Sequence, residues 1–157
     1  MTIIVRAFAG LAVLTLSFVL TLLIIDYTPE PSAMDLAMAA EGLTAADAVV
    51  GYVDLAKRDP AGRLELTGWA FDKELANPVS VQVLVGTKFE PIAITNGARE
   101  DVTRALQESP ERTKNVAFTG RTDRPVDCGS YTIVGVNHRN HMSILVPSLD
   151  LPGCRPY

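Results

Sequence analysis

The sequence predicts a mainly β protein, a single N-terminal transmembrane α-helix followed by an antiparallel, immunoglobulin-like β-sandwich. Three observations carry this reading. Residues Ala7 to Ile25 contain neither a charge nor a proline. From Gly51 onward apolar residues recur at every second position, with turn chemistry between the runs. Helical spacing interrupts that region only once, between Arg99 and Ser109.

The N-terminal run is 19 residues long, and at about 1.5 Å rise per residue it spans roughly 28 Å, close to the hydrocarbon thickness of a bilayer. A secretory signal peptide would instead carry an apolar stretch of about 7 to 15 residues and a nearby small-x-small cleavage site. Here Ile25 is followed by Asp26-Tyr27-Thr28-Pro29-Glu30-Pro31, and the first such pattern, Ala37-Met38-Ala39, comes a dozen residues later. An uncleaved anchor is expected. Arg6 precedes the run while Asp26 and Glu30 follow it, so the positive-inside rule places the N-terminus in the cytoplasm and the rest across a bacterial inner membrane, in the periplasm. Within the span, Gly10 with its small neighbours Ala9 and Ala12, and Thr15 with Ser17 and Thr21, offer contacts for another helix. The same hydroxyls can equally satisfy carbonyls of their own helix.

Three segments result: an anchor at 1–26, a juxtamembrane linker at 27–50 and a periplasmic sandwich at 51–157. In the linker, Pro29 and Pro31 stiffen the exit from the membrane and Ser32 caps a short helix of good helix formers, Ala33 to Ala40, stopped by Gly42. Met34 and Met38 give that helix an apolar surface with no domain expected to cover it. It lies on lipid or docks a neighbouring subunit.

The strands follow in order. Val53 and Leu55, then Leu64 and Leu66, alternate with other residues on either side of Asp59-Pro60-Ala61-Gly62, a hairpin. Val79, Val81, Val83 and Val85 alternate up to Gly86-Thr87, and a partner strand runs from Lys88 to Ile94. Val102, Ala105 and Leu106 predict a helical turn or two crossing between sheets and ending at Pro110. Val116 to Arg121 is a further strand, and Ser130–Val136 with Met142–Val146 form a last hairpin around Asn137-His138-Arg139-Asn140. The Cys-Trp-Cys spacing of true immunoglobulin domains is absent.

Cys128 and Cys154 are the only cysteines, and both fall in the part expected to face an oxidising compartment. A structural disulfide between them would close about 27 residues and restrict the unfolded chain by ~3.5 kcal/mol on the entropic model. Of the 14 Lys and Arg only Arg6 precedes residue 26, so the external part carries 13 cations against 18 Asp and Glu, a balance of −5. That balance lacks the basic footprint of a nucleic-acid binder.

Enzyme chemistry finds few candidates. His138 and His141 could give two metal ligands, but nothing in the spacing nominates a third, and a solvated turn accounts for both. No nucleophile elbow, phosphate-binding loop or zinc-protease motif is present. No catalytic residue, metal or cofactor is expected.

The string Leu64-Glu65-Leu66-Thr67-Gly68-Trp69-Ala70-Phe71-Asp72, with Pro78-Val79-x-Val81, Gly86, Arg99-x-Asp101-Val102, Phe118 and Gly129-x-Tyr131, resembles a recurrent bacterial β-sandwich module of envelope-associated proteins, including glycosyltransferases. Ala117 stands where the module's pattern has a glycine before the aromatic. The resemblance covers residues 60 to 146 and brings no catalytic residue with it. Its positions have structural readings: Trp69 fills the centre of the sandwich, Gly68 admits a close neighbour, Asp72 accepts backbone hydrogen bonds, and Arg99 with Asp101 clamps the crossing turn. The competing reading makes Trp69, Asp72 and Arg99 a platform for a sugar ring.

The expected function is therefore association: a non-catalytic accessory subunit that stabilises or assembles a larger inner-membrane complex, such as a respiratory or photosynthetic one. Its partners would be integral-membrane subunits, met through Gly10, Thr15, Met34 and Met38, and the lipid bilayer. The alternative is a carbohydrate-binding module of envelope polysaccharide synthesis.

Overall fold

Alternation of apolar and polar side chains builds two sheets that face each other across one core. The computed structural model describes residues 30–126 and 130–150, with residues 130 and 147–150 defined by their backbone alone. Its elements are helix α1 (Ala33–Glu41), β1 (Thr44–Ala45), β2 (Val49–Arg58), β3 (Leu64–Asp72), β4 (Ser80–Val85), β5 (Lys88–Ile94), helix α2 (Glu100–Leu106), β6 (Ala117–Arg121), β7 (Ser130–Val136) and β8 (His141–Asp150). One sheet has the order β1-β8-β7-β4-β5 and the other β2-β3-β6. All neighbours are antiparallel except β1, which runs parallel to β8.

Leu64, Leu66 and Ala70 of β3, Val81 and Val83 of β4, and Ile133 of β7 are buried and meet Phe118 of β6 in the main core. The hairpin turn between β2 and β3 follows the expected chemistry. Gly62 N donates to the Asp59 carbonyl at 2.9 Å, while the Asp59 carboxylate accepts from the backbone N and Nε of Arg63 at 2.9 and 2.8 Å. The backbone hydrogen bond from Arg63 chiefly holds the Asp59 carboxyl below its ordinary range.

Both flanks of the sandwich are stitched. On one, Asn96 N donates to the Ala117 carbonyl at 2.8 Å and Val116 N to the Gly97 carbonyl at 3.0 Å. Gly120 lets β6 approach β5 there, since a Cβ at that position would lie 2.0 Å from the Ile92 carbonyl oxygen. On the other, Ser143 Oγ donates to the Ala46 carbonyl at 2.5 Å and accepts from Val49 N at 2.9 Å.

Trp69 does not fill the centre. It is half-buried on the outer side of β3, beside Phe71, Val102 and Val116. The reason is parity: Leu64, Leu66, Gly68 and Ala70 point inward, so Glu65, Thr67 and Trp69 point outward. Phe118 takes the central place, its ring against Gly68, where a Cβ would sit 2.8 Å from Phe118 Cζ and 2.2 Å from the Tyr52 carbonyl oxygen.

The linker boundary also moves. A compact unit begins at Ala33, so α1, β1 and the start of β2 belong to the domain. Ala37 is fully buried, and Met34, Met38 and Leu43 pack with it against Phe89, Val134, Val136 and Met142 on the outer face of the larger sheet. Met34 and Met38 thus meet their own domain, because strand β7 is apolar on both faces and needs a cover there.

Helix α2 crosses between the sheets as expected and buries Val102. It ends earlier than Pro110, at Gln107 in a left-handed conformation (φ 56°), whose N–H returns to the carbonyl of Arg104. Among the described residues no helix is long and apolar enough to cross a membrane. The expected span at 7–25, with Gly10 and Thr15, and both Cys128 and Cys154 lie outside the described residues.

Candidate functional site

The outer face of β2-β3-β6 presents three rows fixed by strand register. Tyr52, Trp69 and Ala117 stand opposite one another, then Leu55, Thr67 and Thr119, then Lys57, Glu65 and Arg121. The first row sets two aromatic rings beside an alanine, the second mixes an aliphatic side chain with two hydroxyls 3.5 Å apart, and the third holds a Lys57–Glu65 ion pair at 3.0 Å. Tyr52 is 60% exposed and Leu55 52%.

Leu55 reaches this face through a bulge. Val53 pairs with Gly68 and Leu55 with Thr67, leaving Asp54 as the extra residue. Without it Leu55 would share the inward parity of Val53. Instead Val53 and Ala56 pack into the core while Tyr52 and Leu55 stand together outside.

Arg99 secures the bulge from the start of α2. Its Nη1 donates to Asp54 Oδ2 at 2.7 Å, and its Nε and Nη2 donate to the two oxygens of Asp101 at 2.8 and 2.6 Å. The hydrogen bond to Asp101, then the one to Asp54, raises the Arg99 pKa further. In return the Arg99 guanidinium holds the Asp101 carboxyl down to about 2. The clamp between Arg99 and Asp101 is as the sequence leads one to expect. Asp54 was not legible as its third member, because a bulge leaves no mark in the spacing.

The three residues of the expected sugar platform are not brought together. Trp69 and Arg99 belong to the outer side of the smaller sheet, whereas Asp72 is fully buried with inward parity at the end of β3. Asp72 Oδ1 accepts from Glu74 N at 3.0 Å and lies 3.5 Å from Asn137 Nδ2. Its Oδ2 has no hydrogen-bond partner, and His138 Nδ1 lies 3.8 Å from it.

His138 and His141 stand at the β7–β8 turn. Glu74 receives His141 Nδ1 at 3.1 Å and Arg139 Nη1 at 3.3 Å, while Asn137 Oδ1 closes the turn by accepting from the backbone N of Arg139 and of His141. Among the described residues no three His, Cys, Asp or Glu are placed to hold a metal ion. This polar knot gathers β3 and the β7–β8 turn over some 65 residues of sequence, so neither spacing nor periodicity announces it.

No family model, no curated protein and no solved structure matches the chain.

Proposed function

We propose that the chain is a non-catalytic accessory subunit that works by association with integral-membrane subunits of a larger complex, a respiratory or photosynthetic assembly being of the kind envisaged. The observation that carries the proposal is the pair Tyr52 and Leu55, large apolar side chains set on one exposed face of β2 by a bulge that the protein pins with an ion pair. Exposed apolar side chains grouped on one face mark interaction surfaces, and aromatic anchors dominate such contacts. The uncharged run Ala7–Ile25 supports tethering to the inner membrane, with the N-terminus cytoplasmic and the domain periplasmic. An oxidising compartment also suits a Cys128–Cys154 disulfide.

We read the sandwich as immunoglobulin-like. Support comes from the strand order, in which β2-β3-β6 faces β1-β8-β7-β4-β5 and the chain changes sheet after β1, β3, β5 and β6. We also keep the resemblance to the bacterial envelope module as part of this proposal.

A carbohydrate-binding role is the second reading, favoured by the direct pairing of Tyr52 with Trp69 beside the hydroxyls of Thr67 and Thr119. Aromatic faces with adjacent hydroxyls suit a sugar ring.

Purification of the protein from its native membrane in mild detergent separates the two. Stoichiometric membrane partners that are lost from Tyr52→Asp and Leu55→Asp variants support the subunit reading. A monomer retarded on immobilised polysaccharide, with retardation lost in Trp69→Ala, supports the other. A mature chain starting near residue 40, or a domain facing the cytosol, overturns the tethered subunit.

A further inference from the structure

Two adjoining register rows on the outer face of the larger sheet hold no charged residue. Strand pairing sets Met142, Val136, Ser80 and Ile94 opposite one another, and beside them Ile144, Val134, Gln82 and Pro91. The outer face of β2-β3-β6, by contrast, has its row of Lys57, Glu65 and Arg121. Helix α1 packs over Val134, Val136 and Met142, and Ile94 and Ile144 stay 66% and 47% exposed. An antiparallel sheet face that meets water normally alternates polar groups onto it.

The helix that partly covers this face is itself apolar on two opposite sides. Met34, Ala37 and Met38 pack toward the sheet, while Ala33, Leu36 and Ala40, spaced three and four residues apart, share the other side and are exposed. Leu36 is 49% exposed. A helix without a polar outer side is ordinarily covered there too, and exposed apolar side chains gathered on one face mark a contact surface. The charges of α1 are Asp35 in its first turn and Glu41 at its end. Both are acidic, so the surface repels an anionic partner and suits a neutral one.

What covers it follows from the sequence before α1. Residues 26–32 alone separate Ile25, the end of the uncharged run, from Ala33, and at ~3.3–3.6 Å per residue they reach at most ~28 Å. With that run in a bilayer, the reading above on which this inference rests, α1 stands no further from the lipid than that. Turning the smaller sheet to the membrane would interpose two sheets packed ~10 Å apart, with their side chains, and draw the tether close to its limit. With α1 toward the lipid the tether stays relaxed. We propose that α1 lies in the headgroup layer of a zwitterionic bilayer, Leu36 toward the acyl chains and Ile94 and Ile144 at the membrane surface. The helix is ~10 Å across and projects from the sheet by about that much, a depth that matches the headgroup boundary. Tethering makes the contact intramolecular, so a small apolar area suffices. Tyr52 and Leu55 then point away from the lipid, toward external parts of the subunits proposed above.

Tryptophan quenching in the full-length protein, reconstituted into phosphatidylcholine vesicles with plain or brominated acyl chains, tests the proposal. The chain has a single tryptophan, Trp69, on the outer side of the smaller sheet, so the wild type should keep its emission in both lipids. In a Trp69→Phe background, Leu36→Trp should emit at shorter wavelength and lose emission to the bromine. Ile144→Trp should lose less, and Tyr52→Trp, which controls for the affinity of tryptophan itself for lipid, should lose none. Leu36, Ile144 and Tyr52 are exposed, so these variants keep the fold, which thermal melts verify. Flotation of the vesicles separates the two readings. Protein that stays behind overturns the tether and this inference together. Protein that floats, with Leu36→Trp quenched no more than Tyr52→Trp, overturns this inference alone. A shift to shorter wavelength without bromine quenching means that a second copy covers the face, and overturns it as well.

Discussion

The guanidinium of Arg99 donates to the carboxylate of Asp54 at 2.7 Å, and Asp54 is the one residue of β2 without a partner on β3. An ion pair thus holds a bulge in place, and the bulge decides which side chains of β2 face solvent. Both partners are about one-third exposed, so the coupling is screened. A double-mutant cycle with Arg99→Ala and Asp54→Ala should give an interaction free energy of about 0.5–1 kcal/mol in urea unfolding. Amide exchange at residues 53–56 should rise in either variant. A coupling of zero would show that the bulge is held by packing alone.

Acid should loosen the same clamp. Arg99 keeps the Asp101 carboxyl at about 2 in the folded protein, against about 3.9 for a free side chain. A carboxyl depressed by folding contributes stability that is complete above its unfolded value and is lost as the pH falls toward the folded one. The stability difference between the wild type and Asp101→Asn should therefore be constant above about pH 5 and close between about pH 4 and pH 2. A difference that persists at pH 2 would mean that the contact does not depend on the charge.

Gly68 and Phe118 occupy the centre that a large aromatic was expected to fill. Truncating the buried Phe118 to Ala should cost about 3–5 kcal/mol. Trp69→Ala, on the outer face and half-buried, should cost about 1–2 kcal/mol, in proportion to the smaller area it covers. Gly68→Ala puts a methyl 2.2 Å from the Tyr52 carbonyl oxygen, and overpacking of that kind costs about 1–3 kcal/mol. Denaturant unfolding of the three variants ranks them directly. Equal losses for Trp69→Ala and Phe118→Ala would contradict the inward parity of β3.

Strands β3 and β4 were legible because burial alternates along them. Val79, Val81 and Val83 announce one buried face, and the structure buries all three. The location of Trp69 was legible as well, since it shares parity with Glu65 and Thr67 rather than with Leu64 and Leu66, but residue size outweighed parity. Strand β7 carried another readable signal: Ile133, Val134 and Val136 place apolar groups on both faces, which calls for a layer beyond the second sheet. The contacts of Asp72 with Asn137 and His138 had no local signature. They arise where the end of one strand meets a turn far along the chain, and only the topology brings them together.

The N-terminal boundary of the domain gives the last test. If α1 and β1 are part of the fold, a fragment beginning at Ser32 retains the cover over Phe89, Val134, Val136 and Met142, whereas one beginning at Gly51 leaves those four side chains bare. At ~1 kcal/mol for each side chain that loses part of its burial, the shorter fragment forfeits roughly 4 kcal/mol, a large share of the ~5–15 kcal/mol that small domains possess. It also loses the Ser143–Ala46 link that ties β8 to the segment before β2. Thermal melts should show a cooperative transition for the longer fragment and a much lower or absent one for the shorter. Ala37→Glu in the longer fragment should reproduce the loss, since it drives a charge into a fully buried position. Equal melting of the two fragments would return residues 33–50 to the role of a linker.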